Sequence, residues 1–370
     1  MNAKLLIISY DFPPSTGGIA RLCHEIILNI KNSYDTVEVL TIEKNHVSQP
    51  YGDNSGIKIH YLSRKRILSE LKAFQFLRKW KHKKQTDVIC GTWHPDAALA
   101  LFAGFKNVYT LAHGAELLSG KSTFRKHLWL PVYAKWVLGK SRKVIANSNY
   151  TKNLVHQINP AAKAVDLPLG VNTDYFKPLK VKKDIDKLRI CTVSRILQFK
   201  GHDFILETLC QLPKQYREKL EWHIAGIGPF LEPLKKLVQN SVIAPQVHFH
   251  GFVQDSDLPA FYNSSDLFIL ATRQAQYSTQ VEGFGLVFLE AQSCGIPVIG
   301  THTGGIPDAI EPENGGWLIA QDDKMELTGI IAILIENPPI LKEQSVLARQ
   351  RVLQKCSWQH YIANLKQLME

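Results

Sequence analysis

The sequence predicts an α/β protein of two domains, each a parallel sheet with helices on both faces. Three observations carry that expectation. The chain has 370 residues, more than one hydrophobic core ordinarily serves. Short β-rich runs alternate with longer stretches of helical period from end to end, the order that builds parallel sheets through crossover helices. One segment, PLGVNTDYFKPLKVKKDIDK (168–187), interrupts the alternation with two prolines, a glycine, a charged run and no apolar period. The expected domains are 1–168 and 169–356.

In the first domain the strand candidates are LLIIS (5–9), VEVLT (37–41), IKIHYL (57–62), DVICG (87–91), NVYTL (107–111) and KVIAN (143–147). In the second they are LRICTV (188–193), EWHIAG (221–226), VHFHG (247–251), LFILA (267–271) and PVIGT (297–301). The clearest helix is marked by Ile19, Leu22, Cys23, Ile26, Ile27 and Ile30, an apolar stripe at helical spacing. Two such domains joined once leave a cleft, and ligands of these sheets bind at the carboxyl ends of strands beside helix N-termini.

Composition narrows the class. Hydrophobic residues at 45% and charged residues at 21% are ordinary for a globular protein. The N-terminal MNAKLLIISYDFPP carries only a brief apolar run before Asp11, a buried strand rather than a signal peptide. No apolar run approaches bilayer length. Cys23, Cys90, Cys191, Cys210, Cys294 and Cys356 are scattered, which reads as reduced core thiols in a cytoplasmic protein. The net charge of +11 collects in two stretches, 62–84 and 120–143, where Lys and Arg interleave with Trp, Phe and Leu. A solvated helix face accounts for any one such run. Together they fit a basic amphipathic surface on anionic lipid. Nucleic acid ranks below lipid, because no zinc-finger or RNP pattern accompanies the charge.

Three constellations could carry chemistry. In VEGFGLVFLEAQSCGIPVIG (281–300), Gly283 and Gly285 lead into a short helix that Gly295 and Pro297 stop. The helix start offers unpaired N–H groups to an anion. Glu282 and Glu290 flank that start. Were the whole segment helical, they would stand roughly 12 Å apart along the axis. That suits two ends of an extended ligand better than two carboxylates sharing a proton. Read singly, Glu282 is a loop carboxylate and Glu290 a solvent-facing helix residue. In VSRILQFKGHDF (193–204), Arg195 and Lys200 follow a strand, where two cations can neutralise a diphosphate, including charge on a leaving group. Their plain reading is a pair of solvated cations. In YDFPPSTGGIARL (10–22), Gly17 and Gly18 sit between a strand and a helix, and THTGGIPDAI (301–310) is a similar loop. His113 follows the strand NVYTL; on geometry alone a structural role is as good a reading as a functional one.

Other patterns fail. HGAELLSGKS (113–122) has five residues between its glycines where a P-loop needs four. Asp255-Ser-Asp257 has the spacing of a metal-binding DxD, yet LPAFY follows and it reads as a helix cap. IAGIGP lacks the third glycine of a dinucleotide fingerprint. No His/Cys metal cluster or G-x-S-x-G elbow is visible, and the expected metal is none.

The chain resembles the GT-B glycosyltransferases of family 4, retaining enzymes that use nucleotide-sugar donors. Glu282-x7-Glu290 followed by GG-I-P carries the resemblance most strongly. The SR-x4-KG element at Arg195 and Lys200, GGIAR near the N-terminus, NSNYT (147–151), LGVNTDYFKP (169–178) and IAGIGP fall in the family's order. The resemblance covers essentially the whole chain. It implies two Rossmann-like domains facing each other across a cleft, 1–168 binding acceptor and 169–356 binding donor. The segment 357–370, with its helix SWQHYIANLKQL (357–368), would cross back to the first domain. Arg195 and Lys200 would hold the diphosphate, Glu290 the ribose, and Glu282 with the backbone of Phe284, Gly285, Leu286 and Val287 the sugar and phosphate. The base would pack near Gly251, Phe252 and Val253. Gly17, Gly18 and His113 would close over the phosphate and sugar. The implied reaction keeps anomeric configuration, needs no metal or cofactor, and has the donor phosphate accept the acceptor's proton.

The motif is most similar to that of GDP-mannose-dependent phosphatidylinositol mannosyltransferases, which favours GDP-mannose as substrate, with a UDP-hexose next. The expected acceptor is a glycan or lipid-linked sugar in bacterial polysaccharide or glycolipid synthesis, at the inner membrane face. A UDP-hexose transferase with a soluble acceptor is the alternative. A GT-B sugar-nucleotide hydrolase or epimerase is another, and a basic nucleotide- or nucleic-acid-binding protein is the non-enzymatic one. The sequence leaves the oligomeric state open.

Overall fold

The computed structural model describes residues 3–15, 17–42, 56–63, 65–181, 183, 186–276 and 278–370. It falls into two compact units, Met1–Leu169 together with Trp358–Glu370, and Gly170–Ser357.

The first unit is a seven-stranded parallel sheet: β1 (Lys4–Ile8), β2 (Thr36–Ile42), β3 (Ile57–Leu62), β4 (Thr86–Cys90), β5 (Asn107–Ala112), β6 (Lys143–Ala146) and β7 (Ala164–Asp166). Their order is β3-β2-β1-β4-β5-β6-β7. Leu5, Leu6, Ile7 and Ile8 are all fully buried. A strand with no exposed face is what helices on both sides of a parallel sheet require. The helix Gly18–Ile30 buries Ala20, Leu22, Cys23, Ile26, Ile27 and Ile30. The terminal helix Trp358–Met369 packs on it, and the Tyr109 hydroxyl donates to the Met369 carbonyl at 2.7 Å.

The second unit is a six-stranded parallel sheet: β8 (Leu188–Val193), β9 (Leu220–Ala225), β10 (Val247–Gly251), β11 (Leu267–Leu270), β12 (Val298–Thr301) and β13 (Gly316–Ile319). Its order is β10-β9-β8-β11-β12-β13. Trp222, Ile190 and Ile224 anchor a core that reaches the helices His202–Gln211 and Lys324–Glu336.

Two strands escape the sequence reading. β7 has three residues and only partial burial, too short to display an alternation. β13 opens on Gly316, after a second glycine, where a turn is the natural reading.

In both sheets the order reverses beside the first strand, between β1 and β4 and between β8 and β11. Loops leaving the carboxyl ends at such a point splay apart and leave a crevice. The segment bearing Asp11 leaves β1, and the loop bearing Arg195 and Lys200 leaves β8. Cys23, Cys90, Cys191 and Cys294 are buried free thiols, and burial pushes those of Cys23 and Cys191 up to about 12. No helix among the described residues is long and apolar enough to cross a membrane.

Candidate active site

In the second unit the site is built on glycine. The chain leaves β8 through Ser194 and Arg195, and a single 3-10 turn, Gln198–Lys200, ends at Gly201 with φ of 76°. A Cβ there would overlap the Ala271 carbonyl oxygen, so only glycine lets this loop close against the end of β11. The Arg273 amide donates to the Phe199 carbonyl at 2.7 Å. Arg273 in turn pairs with Asp203 at 2.7 Å and with Asp322 at 2.5 Å. Lys200 is thereby held at the switch point.

Its ammonium pairs with the Glu282 carboxylate, and both side chains are mostly buried. Arg195 is exposed and unpaired among the described residues. The structure therefore brings Lys200 to Glu282 and leaves Arg195 at the rim.

Glu282 is fixed from behind. Its carbonyl accepts from the Gly305 amide at 2.9 Å, and a Cβ on Gly304 would collide with that carbonyl. The loop 301–310 thus acts as a brace for Glu282. Gly285, in the left-handed region, precedes the helix Leu286–Ser293; Phe284 is buried, and Leu286 and Val287 are half-buried. Glu290 departs from the solvent-facing reading. It is 3% exposed and accepts from the Tyr262 hydroxyl at 2.9 Å. Burial and that carboxylate push the Tyr262 phenol far up, so it stays a donor. At the end of β10, Gly251 has open space where a Cβ would stand, and the Phe252 ring is exposed.

His202 follows Gly201 and is fully buried, its Nε2 3.3 Å from the Ser194 hydroxyl. Burial, then the Lys200 charge, lowers it to about 4, so it is neutral at physiological pH. Asp257 occupies the N-cap position of the helix Leu258–Asn263, as the cap reading expects, but its carboxylate makes no capping bond. A cavity of about 620 Å³ in this unit is lined by Leu188, Lys219, Asp266 and Ile296. These residues lie at the amino ends of the strands, away from the switch-point loops.

In the first unit Gly17 and Gly18 differ. A Cβ on Gly17 would stand 2.7 Å from Asp11 Oδ2, whereas one on Gly18 meets nothing within 4 Å. The Asp11 carboxylate stands where a Gly17 side chain would, and the corresponding space at Gly18 is open. His113 follows β5, and its Nε2 lies 2.7 Å from the Gly91 carbonyl. A carbonyl only accepts, so that nitrogen carries a proton. The His113 amide donates to Glu116 at 2.7 Å.

Sequence reasoning missed Asp96. It is fully buried behind Gly91 and accepts from the Thr92 amide at 2.9 Å and the Thr92 hydroxyl at 3.0 Å. Burial outweighs these bonds and raises it to about 7. Thr-Trp-His-Pro-Asp at a strand end was its one visible signal. Also missed was a grouping of Glu221, His223 and His248, whose ligand atoms lie within 4.8 Å of one another. The search for metal spacing failed there because the three come from two paired strands.

Two parallel α/β units with this topology are the architecture of the GT-B fold. Solved structures agree over nearly the whole chain. Anabaena Alr3699/HepE in complex with UDP and glucose matches with a TM-score of 0.77 at 17% identity, covering 99% of this chain and 98% of that one. A glycosyltransferase from Rickettsia africae matches with a TM-score of 0.77 at 20% identity, covering 100% and 98%. The model of the glycosyl transferases group 1 matches residues 176–351, and that of Glycosyltransferase Family 4 matches residues 16–175. Together they span both units, and the chain belongs to this family of glycosyltransferases. Among curated relatives, a GDP-mannose-dependent α-(1-6)-phosphatidylinositol monomannoside mannosyltransferase of Mycolicibacterium smegmatis is 24% identical, covering 99% of this chain and 98% of its own. That of Mycobacterium tuberculosis is 27% identical over 98% and 97%.

Proposed function

We propose that this glycosyltransferase moves a hexosyl group, mannose in the first instance, from a nucleotide diphosphate sugar to a glycan or lipid-linked acceptor with retention of configuration. The observation that carries the reading is the Lys200–Glu282 pair at the switch point of the second sheet. In this reading the diphosphate exchanges with Glu282 for the Lys200 ammonium, and Arg195 adds a second cation from the rim. Glu282, released, accepts from hydroxyls of the sugar. The start of the helix Leu286–Ser293, with the backbone of Gly283 to Val287, receives the phosphate nearest the sugar. Glu290 marks the ribose end, anchored by Tyr262, and Phe252 beside Gly251 offers a face to the base.

The reaction breaks the bond between the anomeric carbon and the donor phosphate oxygen. The acceptor oxygen bonds to that carbon on the same face, and its proton passes to the departing phosphate. Lys200 and Arg195 stabilise the charge that develops there. No step in this scheme needs a metal or a cofactor. Roles toward the donor are likewise proposed for Gly17, Gly18 and His113, with His113→Ala as their test.

GDP-mannose is favoured by the names of the full-length relatives. A UDP-hexose is the second reading, because HepE is described with UDP and glucose. For the first unit we propose acceptor binding and contact with anionic membrane. Phe124, Leu128, Val132 and Trp136 are all exposed at intervals of four on one helical stretch, beside Lys126, Lys135 and Lys140. Ile67, Leu68 and Leu71 are exposed on the helix Arg66–Lys79 of the other basic stretch; Arg64 and the Arg66 side chain there lie outside the described residues. The test is a thermal-shift panel of GDP-, UDP- and ADP-sugars, followed by transfer to lipid-linked acceptors. Stabilisation by one nucleotide class is expected; none by any class removes the donor role.

A further inference from the structure

We propose that Glu221, His223 and His248 form a binding site for a divalent transition-metal ion of the zinc type, on the polar face of the second sheet's β10 edge. The site is separate from the donor loops. Those leave the carboxyl ends of the strands, whereas Glu221 lies four residues before the end of β9, about 13 Å back along it.

The sequence builds the site by alternation. In β9, Glu221 and His223 point to one face while Trp222 and Ile224 enter the core. In β10, His248 and His250 flank Phe249, which packs against that core. The parallel register sets His248 directly beside His223, and their rings stack at 4.8 Å. One ligand atom from each of Glu221, His223 and His248 lies within 4.8 Å of the others. Ligands about 2.1 Å from a tetrahedral ion stand roughly 3.4 Å apart, so small side-chain rotations complete the set. Two imidazoles and a carboxylate, with a fourth position open, is a donor set that zinc accepts.

A support for the ligands is present as well. His223 Nδ1 lies 2.9 Å from His250 Nε2, while His223 Nε2 lies 3.4 Å from Glu221 Oε2. When a metal takes Nε2, the proton must sit on Nδ1, and His250 is placed to accept it.

Lys187 and Arg189 also oppose the ion. Lys187 Nζ is 2.7 Å from Glu221 Oε1, and Arg189 Nε is 3.3 Å from Oε2. Both side chains are more than a quarter exposed, so Arg189 can turn into water and release Oε2 while Lys187 keeps Oε1. That cost weakens the site relative to a buried structural zinc. The gain is a clip between the edge strand β10 and its neighbour β9.

The test uses the full chain stripped with a chelator and titrated with zinc chloride by calorimetry. The wild type should bind one equivalent more than His248→Ala, and zinc should raise the melting midpoint of the wild type alone. Circular dichroism in metal-free buffer checks folding, and Glu221→Gln gives the same reading should His248→Ala fail that check. Equal stoichiometry in wild type and variant, zero included, overturns the proposal.

Discussion

In the second unit a Cβ on Gly201 would run into the Ala271 carbonyl and one on Gly304 into that of Glu282, whereas in the first unit a Cβ on Gly18 would meet nothing within 4 Å. Both units carry glycine loops at the carboxyl ends of the strands of similar sheets, yet their glycines answer different needs. Those of the second unit are fixed by backbone packed on backbone, which holds Lys200 and Glu282 in place without a ligand. In the first unit Gly17 faces a flexible carboxylate and Gly18 faces open space. The comparison teaches that a pre-organised half and an open half can share one architecture, and that a Gly-Gly pair in sequence does not reveal which is present.

The largest expected effect falls on the organised half. Lys200→Ala should lower turnover by about 10²–10³-fold, the loss typical of removing one group aimed at developing charge. Steady-state kinetics with the active nucleotide-sugar checks it. Wild-type turnover would remove the leaving-group role.

Next comes the contrast between the glycines. Gly201→Ala should cost about 3 kcal/mol in chemical denaturation, through positive φ and the collision with Ala271. Gly18→Ala should stay within about 0.5 kcal/mol of wild type, because the helix start accepts a methyl. Equal costs would dissolve the distinction.

A smaller pair of effects sets the units against each other in pH. Asp96 in the first unit is raised to about 7 by burial, above its unfolded value. Its contribution is full below about pH 4 and is lost as pH rises through 7. His202 in the second unit is lowered to about 4, below its unfolded value. Its contribution is full above about pH 6.5 and is lost as pH falls toward 4. Asp96 spans up to about 4 kcal/mol and His202 up to about 3 kcal/mol. Denaturation from pH 4 to 7.5 should therefore show Asp96→Asn gaining on wild type toward neutral pH and His202→Gln gaining toward acid. The same slope in both variants would contradict the assignment.

The smallest expected effect concerns the membrane. Trp136→Ala with Phe124→Ala should weaken sedimentation with anionic vesicles at low salt by about tenfold or less, as expected for apolar area at an interface. Unchanged sedimentation would move the contact elsewhere.

Much of this was legible in the chain because it depends on local pattern. Eleven of the strands announce themselves as apolar runs between turn residues. The Gly18–Ile30 helix declares its buried stripe, and SR-x4-KG with Glu282-x7-Glu290 marks the family. What stayed hidden depends on partners distant in sequence. Nothing around Glu290 forecasts that Tyr262, 28 residues away, would cover it. The sequence of the loop 301–310 reads like that of the loop 10–22, and its packing on Glu282 depends on a residue some twenty positions away. Glu221, His223 and His248 become a cluster only through the β9–β10 register.

The central claim is that the second unit holds a nucleotide-sugar diphosphate on Lys200. Calorimetric titration of wild type and Lys200→Ala with GDP-mannose, and with UDP-glucose in parallel, tests it most directly. Saturable binding of one of them to the wild type, weakened about tenfold or more in the variant, is the expected result. Equal affinity in the two proteins, or no binding of either ligand to the wild type, would contradict it.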